Sequence, residues 1–182
     1  MGEYKMGKWI VDPDHSVAAF SIRHMMIANV RGQFNKIGGT IIFAPSQISD
    51  ASVEITFDAA SIITGIQKRD DHLKSADFLD VARYPLITFK SSRIEPLDVN
   101  RARVTGDLTI HGVTRQITLD AEFAGPVKDP FEDGLSMGFS TSATINRDDF
   151  GITWNQMLEA NGIMVGREIT LTIDLEADLA AE

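Results

Sequence analysis

Apolar and polar residues alternate along most of this chain, with the period of two that marks half-buried strands. Between Ser16 and Met25, Ala18, Phe20, Ile22 and His24 share one face, and Val17, Ala19, Ser21 and Arg23 share the other. Val53, Ile55 and Phe57 alternate with Ser52, Glu54, Thr56 and Asp58. The same rhythm sets Ala102, Val104, Leu108 and Ile110 apart from Arg101, Arg103, Asp107 and Thr109, and it returns in Ile117–Phe123 and Leu135–Phe139. It is cleanest at the end, where Ile169, Leu171, Ile173 and Leu175 alternate with Thr170, Thr172, Asp174 and Glu176. Strands with one apolar and one polar face belong to antiparallel sheets with one solvated side. His111-Gly112 predicts a hairpin turn, and Gly125-Pro126 through Asp133-Gly134 a longer loop. Gly38-Gly39 predicts a bulge or bend in one long strand over 29–43. The pattern therefore predicts an all-β chain of about eight strands, a number at which an up-and-down barrel closes. A sandwich also satisfies the alternation; the long strands and simple turns favour the barrel.

One stretch breaks the rhythm. In TGIQKRDDHLKSADFLDVARYP, residues 64–85, the alternation gives way to three- and four-residue spacing over Lys68–Ser75. A second turn follows at Ala76–Asp80, and Tyr84-Pro85 forces an extended entry into the next strand. Two readings stand side by side. The segment is a crossover plugging a barrel end with Leu73, Phe78 and Leu79, or a lid that offers Arg69, Asp70 or His72 to a ligand.

Composition narrows the function classes. A chain of 182 residues with 43% hydrophobic residues suits one domain with a packed core. The net charge of −9, without a basic cluster, disfavours nucleic acid as a partner. There is no cysteine, which excludes disulfides, thiolate catalysis and cysteine zinc sites. The spacing of the 4 histidines matches no metal-ligand motif, so no metal is expected. No window reads as a signal peptide or a spanning helix, so a cytoplasmic location is expected, or a periplasmic one for a trimmed mature form. A homodimer is the expected assembly if an outer apolar strip such as Val17 and Ala19 needs cover.

Several blocks resemble the YceI-like family of bacterial lipocalin-like, polyisoprenoid-binding barrels. They are DPDHSVAAFSIRHM, VRGQF, TGIQKRDDHLKSADFLDVARYPLITFKSS, VTGDLTIHGVTRQITL, NRDDFGITWN and VGREITLTIDLE, in order from about Trp9 to Glu176. The resemblance implies a barrel with an elongated apolar interior. It also implies a long-chain isoprenoid lipid, a polyprenyl phosphate or isoprenoid quinone, as the bound molecule, with no cofactor required and no catalysis. The apolar stripe would then be the wall of a ligand cavity: Phe20, Ile22, Phe34, Ile55, Phe57, Phe89, Leu108, Ile117, Leu119, Phe139, Leu171 and Ile173.

Polar candidates for the head group or the barrel mouth are His24, Arg69, Asp70, His72, Arg147 and Trp154. His24 shares a face with Phe20 and Ile22, where an imidazole anchors a quinone carbonyl or a phosphate, or is simply satisfied by neighbours. Arg147 either pairs with Asp149 or a neighbouring carboxylate to fix its loop, or meets a phosphate at the barrel mouth. His15 and Ser16 lack the Gly-x-Ser-x-Gly setting of an activated serine, and side-chain bonds fixing a strand entry explain them. Two other functions remain open: an enzyme acting on a small amphipathic substrate with Asp70, His72 or His24 as acid–base groups, and a stress-related interaction domain whose barrel is filled by its own side chains.

Overall fold

The computed structural model describes residues 6–130, 134–158 and 162–181. The elements run β1 (Gly7–His24), β2 (Ala28–Phe34), β3 (Ile37–Phe43), β4 (Ser52–Asp58), β5 (Ile62–Ile63), α1 (Gln67–Lys74), β6 (Leu86–Asp98), β7 (Arg101–Ile110), β8 (Val113–Lys128), β9 (Leu135–Asn146) and β10 (Val165–Leu179). The antiparallel order β1-β3-β4-β6-β7-β8-β9-β10 closes through β10 onto β1, giving an eight-stranded barrel. β2 and β5 extend it at one end, where β2 pairs with β1 and β5 with β2.

β1 is longer than the alternation predicts. Its lower half pairs with β3 and its upper half with β2, and it runs beside β10 almost throughout. The period breaks between Asp12 and Val17, where β1 bulges against β10. Ser16 sits in this bulge: its Oγ donates to the Glu176 carbonyl at 3.3 Å and accepts from the Glu176 N–H at 3.1 Å. That is a strand-fixing role, with no nucleophile in it.

The predicted bend at Gly38-Gly39 lies elsewhere. The chain breaks between β2 and β3 at Asn35 and Lys36, whose N–H groups both donate to Ser61 Oγ at 3.2 and 3.1 Å. Gly39 serves close approach instead: a Cβ there would lie 2.3 Å from the Glu54 carbonyl oxygen of β4. The His111-Gly112 hairpin is as expected, with φ of +52° and +71°, the paired positive values of a type I′ turn. In the predicted 125–134 loop, β8 instead continues to Lys128 past a bulge after Ala124; residues 131–133 lie outside the described residues.

The charge-rich stretch leaves β5 and re-enters the barrel at β6. Thr64 starts it by donating its N–H and hydroxyl to the buried Asp70 carboxylate. α1 then places Leu73 toward the interior, and the turn after it buries Phe78 and Leu79. Tyr84 packs against the Gly112 turn, where a Cβ would come within 2.3 Å of its ring. The segment thus caps the helix end of the barrel. At the terminal end, Phe43 stacks edge-on with Phe123 and Phe139 at 4.8 and 5.6 Å, and Trp9 donates Nε1–H to the Phe43 carbonyl.

Candidate functional site

The inward faces of the strands enclose a continuous cavity of about 250 Å³, far above the roughly 10–15 Å³ a single water needs. All twelve stripe residues named above border it. Every lining residue other than Glu122, Ser140, Thr141 and Arg147 is Ala, Val, Leu, Ile or Phe. Water entering such a space finds few of the 2–4 polar partners that hold a buried water, so the cavity favours an apolar occupant. The barrel is therefore not filled by its own side chains.

The six polar candidates fall into different places. Arg147 alone borders the cavity, and it is 2% exposed. Its Nε–H donates to the Gly166 carbonyl at 2.8 Å, and Nη1 donates to Ile152 and Trp154 at 2.7 and 2.9 Å. Nη2 reaches the Val165 carbonyl at 3.4 Å. The loop-fixing role holds through other partners than expected: the guanidinium turns inward to these carbonyls instead of to Asp149 or a neighbouring carboxylate, and Asp148 pairs outward with Arg167 at 3.2 Å. Burial pushes Arg147 below the ordinary guanidinium range, with Asp148 opposing that shift. The side chain ties Ile152 and Trp154 to Val165 and Gly166 at the start of β10.

The other five lie beside the cavity, off its wall. Arg69 and Asp70 both grip Thr64: Arg69 Nε–H donates to its Oγ1 at 2.7 Å and Nη2 to its carbonyl at 2.9 Å. His72 Nε2 lies 2.8 Å from Asp77 Oδ2, and its ring meets Phe78 and Trp154 edge-on at 5.0 and 4.8 Å. Trp154 is half-buried in this cluster, over the capped end. His24 stands at the top of β1, between Ala28 and Val165. Asp70, His72 and His24 each have separate surroundings and do not converge on one pocket, as shared acid–base work requires.

Sequence reasoning missed one feature of the wall. β8 and β9 pair only from Ala121↔Thr141 downward. Above that rung, residues 113–120 pair with β7 and residues 142–146 with β10, and no backbone bond joins the two edges. Glu122, Ser140 and Thr141, at the last rungs, border the cavity. Alternation carries no sign of such a split, because both strands keep their inward residues.

One partly exposed cluster joins two of the sequence blocks in a way their spacing does not show. Asp12, His15 and Glu176 bring one ligand atom each within 4.8 Å of one another. His15 Nδ1 is 2.6 Å from Asp12 Oδ2, and this contact raises the His15 pKa above its ordinary value.

A closed antiparallel barrel around an apolar cavity, capped by a short helix, defines the lipocalin-like class. The chain belongs to the YceI-like family, whose domain model matches residues 9–177. A UPF0312 protein of Staphylococcus aureus strain MSSA476 is 33% identical over 175 residues, covering 96% of this chain and 99% of that protein. The Campylobacter jejuni YceI protein is 33% identical, with a TM-score of 0.74 and full coverage of both chains. Burkholderia cenocepacia BcnA is 26% identical, with a TM-score of 0.80 over 91% of this chain and 98% of that one. A polyisoprenoid binding domain from Saccharophagus degradans, implicated in plant cell wall breakdown, shares the fold with a TM-score of 0.68. It is 16% identical, over 97% of this chain and all of that one. Among the described residues, no helix is long and apolar enough to cross a membrane.

Proposed function

We propose that this protein binds a long-chain isoprenoid lipid, a polyprenyl phosphate or an isoprenoid quinone, and carries or stores it without chemical change. The observation that carries the reading is the continuous, almost wholly hydrocarbon cavity inside the barrel. Each methylene transferred into it from water stabilises the complex by about 0.8 kcal/mol. A tail of several prenyl units then outweighs the cost of ordering it. The Saccharophagus degradans domain, named as a polyisoprenoid binder, shares this fold at an identity that transfers the architecture alone. Support for the ligand class therefore comes from the cavity's chemistry and the family. The dispersed setting of Asp70, His72 and His24 supports binding over catalysis.

The test is a titration with ubiquinone and with a polyprenyl phosphate, read by quenching of Trp154 at the capped end and Trp9 at the terminal end. Saturable quenching at one ligand per chain is expected. Absence of saturation with both lipids would refute the reading.

A further inference from the structure

Buried side chains cover much of both ends of the barrel. Phe78, Leu79, Phe150 and Ile152 lie at the helix end, each 8% exposed or less. Phe43 and Phe123, with Met137 close by in the core, lie at the terminal end. The hydrogen-bond ladders mark a different opening, in the wall. Continuing the β8–β9 register upward from Ala121↔Thr141 would face Leu119 with Ala143, Thr118 with Thr144 and Ile117 with Ile145. None of these rungs exists.

The gap has defined limits. Its lower corner is tied by Thr141, whose hydroxyl donates to the Asp120 carbonyl at 2.8 Å across the last rung. Its upper corner lies where Gly151 comes beside the 111–113 turn: a Cβ on it would stand 3.7 Å from His111 Nδ1 and 4.0 Å from Val113 Cγ2. Residues 142–146 span about 17 Å between these corners at roughly 3.3 Å per residue. The facing backbone edges are unpaired, and unpaired backbone groups are tolerated where water or a ligand reaches them.

We infer that the split between β8 and β9 is the lateral passage through which an apolar chain enters and leaves the cavity. The proposal rests on the reading of the cavity as a lipid site. The tail slides in sideways past Ile117, Leu119 and Ala143. The end caps stay shut, so α1 is a fixed wall and not a moving lid. The outer lip of the slot carries Thr118, Ser142 and Thr144, all exposed, which suits a polar head left at the surface.

The cysteine-free chain makes the test direct. Thr118→Cys with Thr144→Cys places two thiols across the slot, to be bridged by a short bismaleimide. All-trans-retinol, an isoprenoid that fluoresces when sheltered from water, reports uptake and release by stopped flow. Bridging is expected to slow both rates by about tenfold or more while barely changing the equilibrium affinity. Protein bridged after loading is expected to keep its retinol. The same cysteines capped with N-ethylmaleimide control for bulk. A bridge between Thr88→Cys and Thr109→Cys, which face each other on the intact β6–β7 ladder, controls for stiffening. Unchanged exchange in the slot-bridged protein, or equal slowing by the Thr88–Thr109 bridge, overturns the lateral passage and leaves the lipid reading intact. Failure of the unmodified protein to take up retinol, ubiquinone and polyprenyl phosphate alike overturns both.

Discussion

Replacing Arg147 with Met separates the two roles a buried guanidinium can have at the rim of an apolar cavity. The side chain donates to the carbonyls of Gly166, Ile152, Trp154 and Val165. Arg147→Met keeps most of the volume and removes every donor. Three of the four bonds are 2.9 Å or shorter, and hydrogen bonds from a charged group contribute about 1.5–3 kcal/mol each. Relief of the buried charge and the apolar gain of methionine offset part of that sum. The net expectation is a loss of about 3–4 kcal/mol, of the size seen when one partner of a buried charged network is removed. At this chain length that lowers the melting temperature by roughly 6–16 °C. Urea unfolding followed by circular dichroism measures it, with an unchanged m-value confirming that the native state is otherwise intact. A loss below about 1 kcal/mol, together with lost binding of a polyprenyl phosphate, would refute the reasoning. The guanidinium would then belong to a ligand's head group.

Leu171→Asp puts a carboxylate on the cavity wall at a half-buried position; binding of ubiquinone should fall below detection while the circular dichroism spectrum stays native. Gly39→Ala forces a methyl group against the Glu54 carbonyl, and urea unfolding should show about 1–3 kcal/mol of destabilisation. The Asp12–His15 contact predicts a pH window. Asp12 hydrogen bonding and charge raise the His15 pKa, so this contribution to stability is full below the unfolded value and is lost as pH rises through the folded one. For Asp12, burial acts upward, but the bonds from His15 and the Asp14 N–H prevail and lower it, so its share is lost as pH falls through the folded value. Asp12→Asn should therefore cost most between about pH 4 and 6.5, and NMR titration should show the His15 pKa returning toward its ordinary range.

The barrel was legible because each strand writes its inward face as every second residue. Phe20 and Ile22, Ile55 and Phe57, and Leu171 and Ile173 sit on the wall where alternation puts them. β1 was read short because the bulge between Asp12 and Val17 resets the period. The break at Asn35 and Lys36 left no glycine or proline signal, since a serine hydroxyl from a distant turn makes it. Polar groups were harder to place. Arg69 and Asp70 look like head-group ligands in sequence, yet both are consumed by Thr64, five and six residues away. The β8–β9 split is invisible to any local pattern, because it is a property of which edges meet.

The central claim is that the cavity holds an isoprenoid lipid. Organic extraction of the purified protein, followed by mass spectrometry against a mock purification, tests it most directly. The account predicts an isoprenoid near one molecule per chain, or stoichiometric uptake of added ubiquinone or polyprenyl phosphate by protein purified empty. An extract matching the mock, from protein that also takes up neither lipid, would contradict it.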